Sequence, residues 1–480
     1  MKAKRKKRRT PQRPRPPINL SDAQTVPDFS GFLIIRLLPE VLSKRARSLD
    51  AVAREFKLAG LATLLKRYNC PSRRLITSVS VEQLLKLEDR ARDSEFAPLH
   101  SLGSYWRLDT RTVEKPLEEV LAECRDLHEV DFAYREQSVS DPVVNPADDT
   151  FAAEQNYLDA APDGIDARFA WTQGGDGDGM HFIDLERGWF LGHEDLPNPK
   201  LIFNSNAAAS GFIHSADHGT AVLGAIAGLD NDRGIVGITP GLASVRVVSH
   251  FKAARPTEIH VAGAICAALW ARPAPHVLLL EVQRGKSPEL PTESDDADFV
   301  AIHLAVAKGV IVIEAAGNGG IDLDNLLDTA GQRPMNRALW ATPADIKKFD
   351  SGAILVGAAS SSTPHERLPD SNFGSRVDCY GWGENIVSAG YGDLNLSQVD
   401  NTRYTGAFGG TSGASAIIAG AALLVQGLHL KATGSLLSPA QMRSILSNPA
   451  TGTPQGPTTV LKNIGVMPDL RHIIQNSLGL

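Results

Sequence analysis

Three polar residues of this chain have the types and the order that nucleophilic catalysis requires. Asp184 follows a short apolar segment, His218 lies within the segment DHGTAVLGAIAGL, and Ser412 lies within GGTSGASAIIAGAALLVQ. A serine hydroxyl is a weak nucleophile and needs an imidazole to take its proton, and the imidazole needs a carboxylate that orients it and stabilises its cation. The pattern therefore predicts Ser412 as nucleophile, His218 as general base and Asp184 as orienting acid.

A fourth residue, Asn318, follows the apolar segment VIVIEAAG, so its amide would lie at the end of a buried strand. An amide there, together with the backbone N–H of Ser412 at a helix start, provides two donors for an oxyanion. Each residue also has an ordinary structural interpretation, with Asp184 as a turn acceptor and His218 as a helix-cap histidine. The presence of all these residue types, with the acid, histidine and serine in that order, favours the catalytic interpretation.

The elements that position these residues are predicted from about residue 155 onward. Five apolar segments are separated by helical stretches of crossover length at 257–272 and 297–308; they are MHFIDL from 180, VRVV from 245, VLLLEV from 277, VIVIEAAG from 310 and AILVGAA from 353. Strands that are apolar on both faces are typical of a parallel sheet covered by helices. The fold class is therefore α/β with a doubly wound, mostly parallel sheet, and functional residues should lie at the carboxyl ends of its strands.

The chain before residue 155 has a different organisation. Residues 1–24 form a basic tail that we expect to be disordered, and residues 25–140 predict a small α+β domain of βαβαβ order. Its predicted elements are strands at 32–38, 105–108 and 130–137 and helices at 49–68 and 116–127. Residues 141–154, which begin DPVVNPADD, predict an exposed linker to a second domain at 155–480.

The second domain resembles the subtilisin-like serine proteases, whose catalytic residues follow the same order of acid, histidine and serine. The motifs that carry the resemblance are HGT at 218–220, GTSGAS at 410–415 and AAGN at 315–318. The resemblance covers roughly residues 155–450. It implies a serine endopeptidase with Asp184, His218 and Ser412 as triad and Asn318 in the oxyanion hole.

Several positions depart from the pattern of that family. The usual Asp-Thr-Gly is matched here by Asp184-Leu185-Glu186, and the residues after the nucleophile include Gly413 and Ala416 where Met and Pro are usual. The usual Ser-Leu-Gly substrate strand is matched by the triplet Glu281, Val282 and Gln283, with Ala315, Ala316 and Gly317 as the opposite wall of the primary specificity pocket. An acidic Glu281 at the pocket favours a basic substrate residue, unless it pairs internally with Arg284 or a backbone amide.

The resemblance also implies that the N-terminal domain is propeptide-like, so the enzyme is expected to be made as an autoinhibited precursor with its own domain as inhibitor. Many members of the family bind calcium, but this chain has no calcium loop of the DxDxDG type, and GGDGDG at 174–179 is interpreted as a turn. The four cysteines are far apart and form no zinc pattern, so free thiols are expected. We assign no cofactor and no metal.

Charge and composition limit the alternatives. The net charge is −6, yet the first sixteen residues carry nine Lys or Arg, so the tail is expected to be solvated or to make weak electrostatic contact with nucleic acid or an anionic surface. The apolar segment 413–425 is shorter than the roughly 18 residues that span a bilayer, so we expect no transmembrane segment. The basic start shows no secretory pattern, and we expect a cytoplasmic protein.

The preferred hypothesis is a serine endopeptidase that hydrolyses protein or peptide substrates. The alternative is a catalytically silent peptide-binding or regulatory protein on a peptidase fold. The complete set of catalytic residue types favours the enzyme.

Overall fold

The computed structural model describes residues 29–91, 98, 100–113, 115–137, 147–202, 213–252, 255–328, 330–395, 397, 399–456 and 462–479. The basic tail and residues 141–146 of the expected linker lie outside the described residues. The contacts divide the chain into two units, Met1–Asp141 and Pro142–Leu480. Each unit is considered by itself.

The first unit is a four-stranded antiparallel sheet with helices. Its strands are β1 (Phe29–Leu37), β2 (Ser72–Arg74), β3 (Tyr105–Asp109) and β4 (Val130–Gln137), in the order β2-β3-β1-β4, and its helices are α1 (Leu49–Phe56), α2 (Ala59–Tyr68), α3 (Val81–Arg90) and α4 (Leu117–Arg125). The helix predicted at 49–68 is two helices, because Lys57 adopts a left-handed conformation with φ 56°. The sequence pattern did not predict β2 and α3. The unit has its own buried core, which includes Leu33, Leu61 and Trp106.

The second unit contains the larger sheet. Its strands are β5 (His181–Glu186), β6 (Lys200–Leu201), β7 (Ser244–Ser249), β8 (Phe251–Lys252), β9 (Arg255–Ile259), β10 (Val277–Leu280), β11 (Gln283–Arg284), β12 (Leu290–Pro291), β13 (Ile311–Ala315), β14 (Ile354–Ala359), β15 (Cys379–Trp382), β16 (Ile386–Ala389), β17 (Tyr404–Phe408), β18 (Gly452–Pro454) and β19 (Val466–Pro468). Its helices are α5 (Ala167–Thr172), α6 (Ile213–Ala227), α7 (Val261–Trp270), α8 (Asp296–Ala307), α9 (Pro343–Phe349), α10 (Gly410–Thr433), α11 (Pro439–Leu446) and α12 (Leu470–His472).

Nine strands form one twisted sheet in the order β6-β7-β5-β10-β13-β14-β15-β19-β18. All pairs are parallel except the edge pair β18–β19. Alternate residues of β10 face different cores: Val277 and Leu279 pack with α6 and α10, whereas Leu278 and Leu280 pack with α7 and α8. Helices thus cover both faces, and the predicted doubly wound α/β class is confirmed.

Helix α10 is longer and more apolar than expected. Its 24 residues meet the length and composition required to cross a bilayer, and 89% of its most apolar window is buried inside the unit. The helix is longer than the apolar segment 413–425, because uncharged residues continue on both sides of that segment. This burial identifies α10 as the core helix of the second unit.

Part of the expected linker is folded. Asp149 is 5% exposed, and its carboxylate accepts the backbone amides of Asn231 and Arg233. The amide of Phe151 donates to the Gly234 carbonyl at 2.6 Å. Described residues from 147 onward therefore belong to the second unit, because they bind a loop that comes later in the chain.

Candidate active site

The candidate site lies where the strand order of the large sheet reverses. The chain runs from β5 outward to β7 and then returns to β10 on the other side of β5. Glu186 is the last residue of β5, and Glu281 directly follows β10. The carboxyl ends of strands on either side of such a reversal frame a crevice, which is the usual position of a binding site in an open α/β sheet.

Glu186, not Asp184, pairs with the histidine. The Glu186 Oε2 lies 2.6 Å from the His218 Nδ1, and the other carboxylate oxygen of Glu186 accepts the Arg187 amide at 2.6 Å. The carboxylate is thus held in place from both sides. The structure thus contradicts the expected contact between Asp184 and His218, because the imidazole is paired with Glu186.

Asp184 serves a structural contact instead. Its Oδ2 accepts the indole N–H of Trp189 at 2.7 Å, and the residue is fully buried. Burial, together with the charge of Glu186, holds the pKa of Asp184 well above its ordinary value. Its side chain contacts the interior rather than the reacting groups.

One signal in the sequence points to Glu186. The strand continues two residues beyond Asp184, and because side chains alternate, residues 184 and 186 share one face. Gly188 follows Glu186 at the spacing of the family's Asp-Thr-Gly, so Glu186-Arg187-Gly188 matches that triplet with Glu in place of Asp. Asp184 is predicted because it has the family's residue type, whereas Glu186 has the family's spacing to the glycine.

His218 is oriented on two sides and remains accessible. The Phe408 ring meets the imidazole edge-on at a centroid distance of 5.5 Å, and a cavity of about 230 Å³ opens beside it near Tyr391 and Gly409. The side chain is 29% exposed. Burial disfavours the imidazolium, but the charge and hydrogen bond of Glu186, with a contribution from Glu281, outweigh it and raise the pKa of His218 to about 9.

A close approach of the backbone explains the glycine of HGT. A Cβ at Gly219 would lie 2.3 Å from the Gly188 carbonyl oxygen and 2.8 Å from the Glu186 Cγ. Any side chain at 219 would push α6 away from the loop after β5. The motif therefore brings His218 within reach of Glu186.

Ser412 is the third residue of α10 and is 5% exposed. Backbone N–H groups in the first turn of a helix lack intrahelical acceptors, so the Ser412 amide is a donor suited to an oxyanion. Gly410 begins the helix with φ 73°, a left-handed conformation that favours glycine. This conformation lets the chain turn directly into α10 and places Ser412 in the first turn of the helix.

Asn318 is fixed by hydrogen bonds to the same helix. Its Oδ1 accepts both the backbone amide and the hydroxyl of Thr411, each at 3.0 Å. Its own backbone amide donates to the Gln283 Oε1 at 2.7 Å. With the carbonyl oxygen engaged, the amide nitrogen of Asn318 is left as a donor next to the start of α10.

The residues predicted to bind substrate have different environments. Val282, Ala315 and Ala316 are buried. Gln283 is half-buried and carries the contact with Asn318, and Gly317 accepts the Asn372 amide at its carbonyl.

Glu281 does not present its charge to a pocket. It is 6% exposed, and its Oε1 contacts the Ser415 Oγ at 2.6 Å. Arg284 pairs with Asp298 instead. The structure thus contradicts the expected acidic wall, because the Glu281 carboxyl is buried and contacts Ser415 of α10.

A separate group of carboxylates has the chemistry to hold a cation. One oxygen each of Asp148, Asp149 and Asp230 lies within 4.8 Å of the others. Among the described residues, the Asp149 Oδ2 is a buried atom without a hydrogen-bond partner, and burial raises the pKa of Asp149 to about 6. Oxygen ligands of this kind fit Ca²⁺, which would offset the repulsion of the carboxylates in this loop. The sequence interpretation missed the group because it assigned residues 148 and 149 to a linker.

A carboxylate paired with an imidazole, a serine at a helix start and an adjacent amide are the kinds of group that a serine-type hydrolase requires. The Subtilase family matches residues 204–466. The chain is 28% identical to subtilisin NAT of Bacillus subtilis subsp. natto over 316 residues, which are 65% of this chain and 71% of that protein. The values for subtilisin E of Bacillus subtilis strain 168 are the same.

A subtilisin-like protease of Pseudogymnoascus destructans is 31% identical over 32% of this chain and 29% of its own length. A solved protease structure from Pseudoalteromonas arctica aligns with a TM-score of 0.48 at 17% identity, covering 68% of this chain and 98% of that one. The chain belongs to the subtilase family, and it is a serine-type endopeptidase.

Proposed function

We propose that the chain hydrolyses peptide bonds through a triad of Glu186, His218 and Ser412. The observation that carries this proposal is the 2.6 Å contact between the Glu186 Oε2 and the His218 Nδ1. With Nδ1 engaged, Nε2 is the nitrogen that takes the Ser412 proton during attack and returns it to the leaving amine. Glu186 stabilises the imidazolium that forms between these steps.

The oxyanion of the tetrahedral intermediate would be held by two donors. These are the side-chain amide of Asn318, whose oxygen is engaged by Thr411, and the backbone N–H of Ser412 in the first turn of α10. Hydrogen bonds hold Asn318 in place and α10 holds the Ser412 amide, and such preorganised donors stabilise charge that develops only in the transition state.

The N-terminal unit is proposed to inhibit the peptidase unit, so that the full chain is an autoinhibited precursor. Its support is the presence of a small, separately packed α+β unit directly before the peptidase unit. Protein or peptide chains are the substrates proposed for the released enzyme.

Labelling with a fluorophosphonate probe tests the proposal, because only an activated serine reacts. The wild-type chain should be labelled and should cleave an unfolded protein substrate, whereas Ser412→Ala should lose both, with turnover lower by roughly a million-fold. Ser435→Ala, at an exposed serine of the same unit, is the control that should keep both labelling and hydrolysis. Hydrolysis that persists in Ser412→Ala would refute the proposal, and a folded chain without labelling or hydrolysis would favour the silent peptide-binding alternative.

A further inference from the structure

A second glutamate lies among the catalytic groups. Glu281 follows β10, and its backbone amide donates to the Leu185 carbonyl of β5 at 2.9 Å. One of its carboxyl oxygens, one of Glu186 and a ring nitrogen of His218 all lie within 4.8 Å of one another. The proposed triad of Glu186, His218 and Ser412 gives no role to this second carboxyl.

The hydrogen bonds around Ser415 require one more proton. The Ser415 Oγ contacts the Glu281 Oε1 at 2.6 Å and the Ser412 carbonyl oxygen at 2.9 Å. A hydroxyl has a single proton and can donate it to only one of these two acceptors. Both contacts are satisfied when Glu281 is a neutral acid that donates to the Ser415 Oγ, while Ser415 donates to the Ser412 carbonyl.

The surroundings also oppose a charge on Glu281. β5 contributes Glu186 and the buried Asp184, α6 contributes His218, and α10 contributes the hydroxyls of Ser412 and Ser415. His218 is the sole cationic group among them. Arg284, three residues further along the chain, is engaged elsewhere, because it pairs with Asp298.

We propose that Glu281 is a positioning residue that acts as a neutral acid and keeps the Ser412 hydroxyl available to His218. An ionised Glu281 would be an acceptor only, and it would draw the Ser412 O–H away from His218. Its negative charge would also favour the imidazolium and keep the base protonated. Either effect lowers activity, so the enzyme works while Glu281 holds its proton. This inference rests on the proposed triad.

The titration behaviour is consistent with this role. Burial raises the pKa of Glu281 to about 8, although the charge of His218 lowers it. A neutral His218 does not exert this effect, so burial and the charge of Glu186 then favour the protonated Glu281. Conversely, a neutral Glu281 removes one of the charges that raise the pKa of His218, while the charge and hydrogen bond of Glu186 remain.

The first test follows the proton itself. In the full chain with ¹³C at the glutamate δ carbons, the Glu281 signal is assigned by its absence in Glu281→Gln and followed from pH 5 to 10. We expect the signal of a protonated carboxyl at pH 7 and ionisation only at higher pH. A carboxylate at pH 7 would overturn the proposal, and this measurement needs no catalytic activity.

The second test compares pH profiles of kcat/KM for the wild type and Glu281→Gln, each normalised to its own maximum. The amide mimics the neutral acid, so the acid midpoint should move by less than half a unit, and the alkaline decline of the wild type should disappear. A midpoint lower by more than half a unit would mean that the wild-type glutamate is ionised. Glu366→Gln, at an exposed position, is the matched control. If no chain hydrolyses substrate, the proposed function fails, while the carboxyl titration still decides the state of Glu281.

Discussion

At the scale of single residues, the site shows how spacing and residue type can disagree. Asp184 has the residue type of the family's acid, and Glu186 has its position relative to the following glycine. The longer side chain of Glu186 reaches the His218 Nδ1 from the last residue of β5. Position along the strand decides which carboxylate faces the imidazole, because every second residue points to the same face but only one lies at the strand end.

A matched pair of substitutions tests this assignment. Glu186→Gln should lower kcat by roughly 10³- to 10⁴-fold, because an amide neither orients the imidazole as the carboxylate does nor stabilises its cation. Asp184→Asn should retain activity within about tenfold, since Asp184 contacts Trp189 rather than His218. Steady-state kinetics on both variants decides the matter, and the reverse ranking would restore Asp184 to the triad.

The same substitution has a defined effect on pH dependence. Glu186 raises the pKa of His218 through its charge and hydrogen bond. A raised pKa keeps the base protonated to higher pH, so activity in the wild type is lost as pH falls through that value. The residual activity of Glu186→Gln should therefore have an acid midpoint at lower pH than the wild type.

Asn318 is expected to contribute less than a triad member. Asn318→Ala should reduce kcat by roughly a hundred- to a thousandfold with a small change in KM, because the Ser412 amide remains as a donor. Thr411→Val is a useful companion, since it removes one of two contacts that hold the Asn318 oxygen and should cost less. Equal activity of Asn318→Ala and wild type would exclude Asn318 from the oxyanion hole.

At the scale of elements, α6 and α10 carry the base and the nucleophile on buried helices. Small residues permit this packing, and Gly219 is a strongly constrained example, because a Cβ at that position would lie 2.3 Å from the Gly188 carbonyl oxygen. Gly263 of α7 is a suitable comparison, because a Cβ there would have its nearest neighbour at 3.8 Å.

Alanine at these two positions should therefore change the free energy of unfolding in opposite directions. Gly219→Ala should destabilise the chain by about 1–3 kcal/mol and reduce activity, because overpacking displaces His218 from Glu186. Gly263→Ala should stabilise it by about 0.5–1 kcal/mol through helix propensity alone. Denaturant unfolding followed by fluorescence measures both, and a neutral Gly219→Ala would show that α6 can shift freely.

Prediction from sequence succeeded where apolar periodicity decides the structure. The five buried strands of the second unit have residues that are apolar on both faces, and this pattern is specific to a covered parallel sheet. It failed where a single backbone conformation or a long-range contact decides. Lys57 breaks a continuous helical pattern through φ 56°, and Asp149 is buried by the amides of a loop that comes much later in the chain.

At the scale of the whole molecule, each of the two units has a core of its own. The core of the first unit includes Leu33, Leu61 and Trp106, all of which are buried. A domain with a core of its own is able to fold alone. The chemistry of the proposed triad is contained in the second unit. The proposed autoinhibition can therefore be tested by producing the two units separately.

The first unit is expected to inhibit the second unit in trans. The second unit, residues 142–480, should cleave a peptide substrate, and residues 25–141 added in excess should reduce that cleavage in a saturable manner, because a propeptide-like domain is proposed to occupy the substrate site. The control is the same fragment with Trp106→Ala, which should lose roughly 3–5 kcal/mol of stability and with it the folded inhibitor. Full-length chain that remains uncleaved and is as active as residues 142–480, with no response to the folded fragment, would show that the first unit has another role.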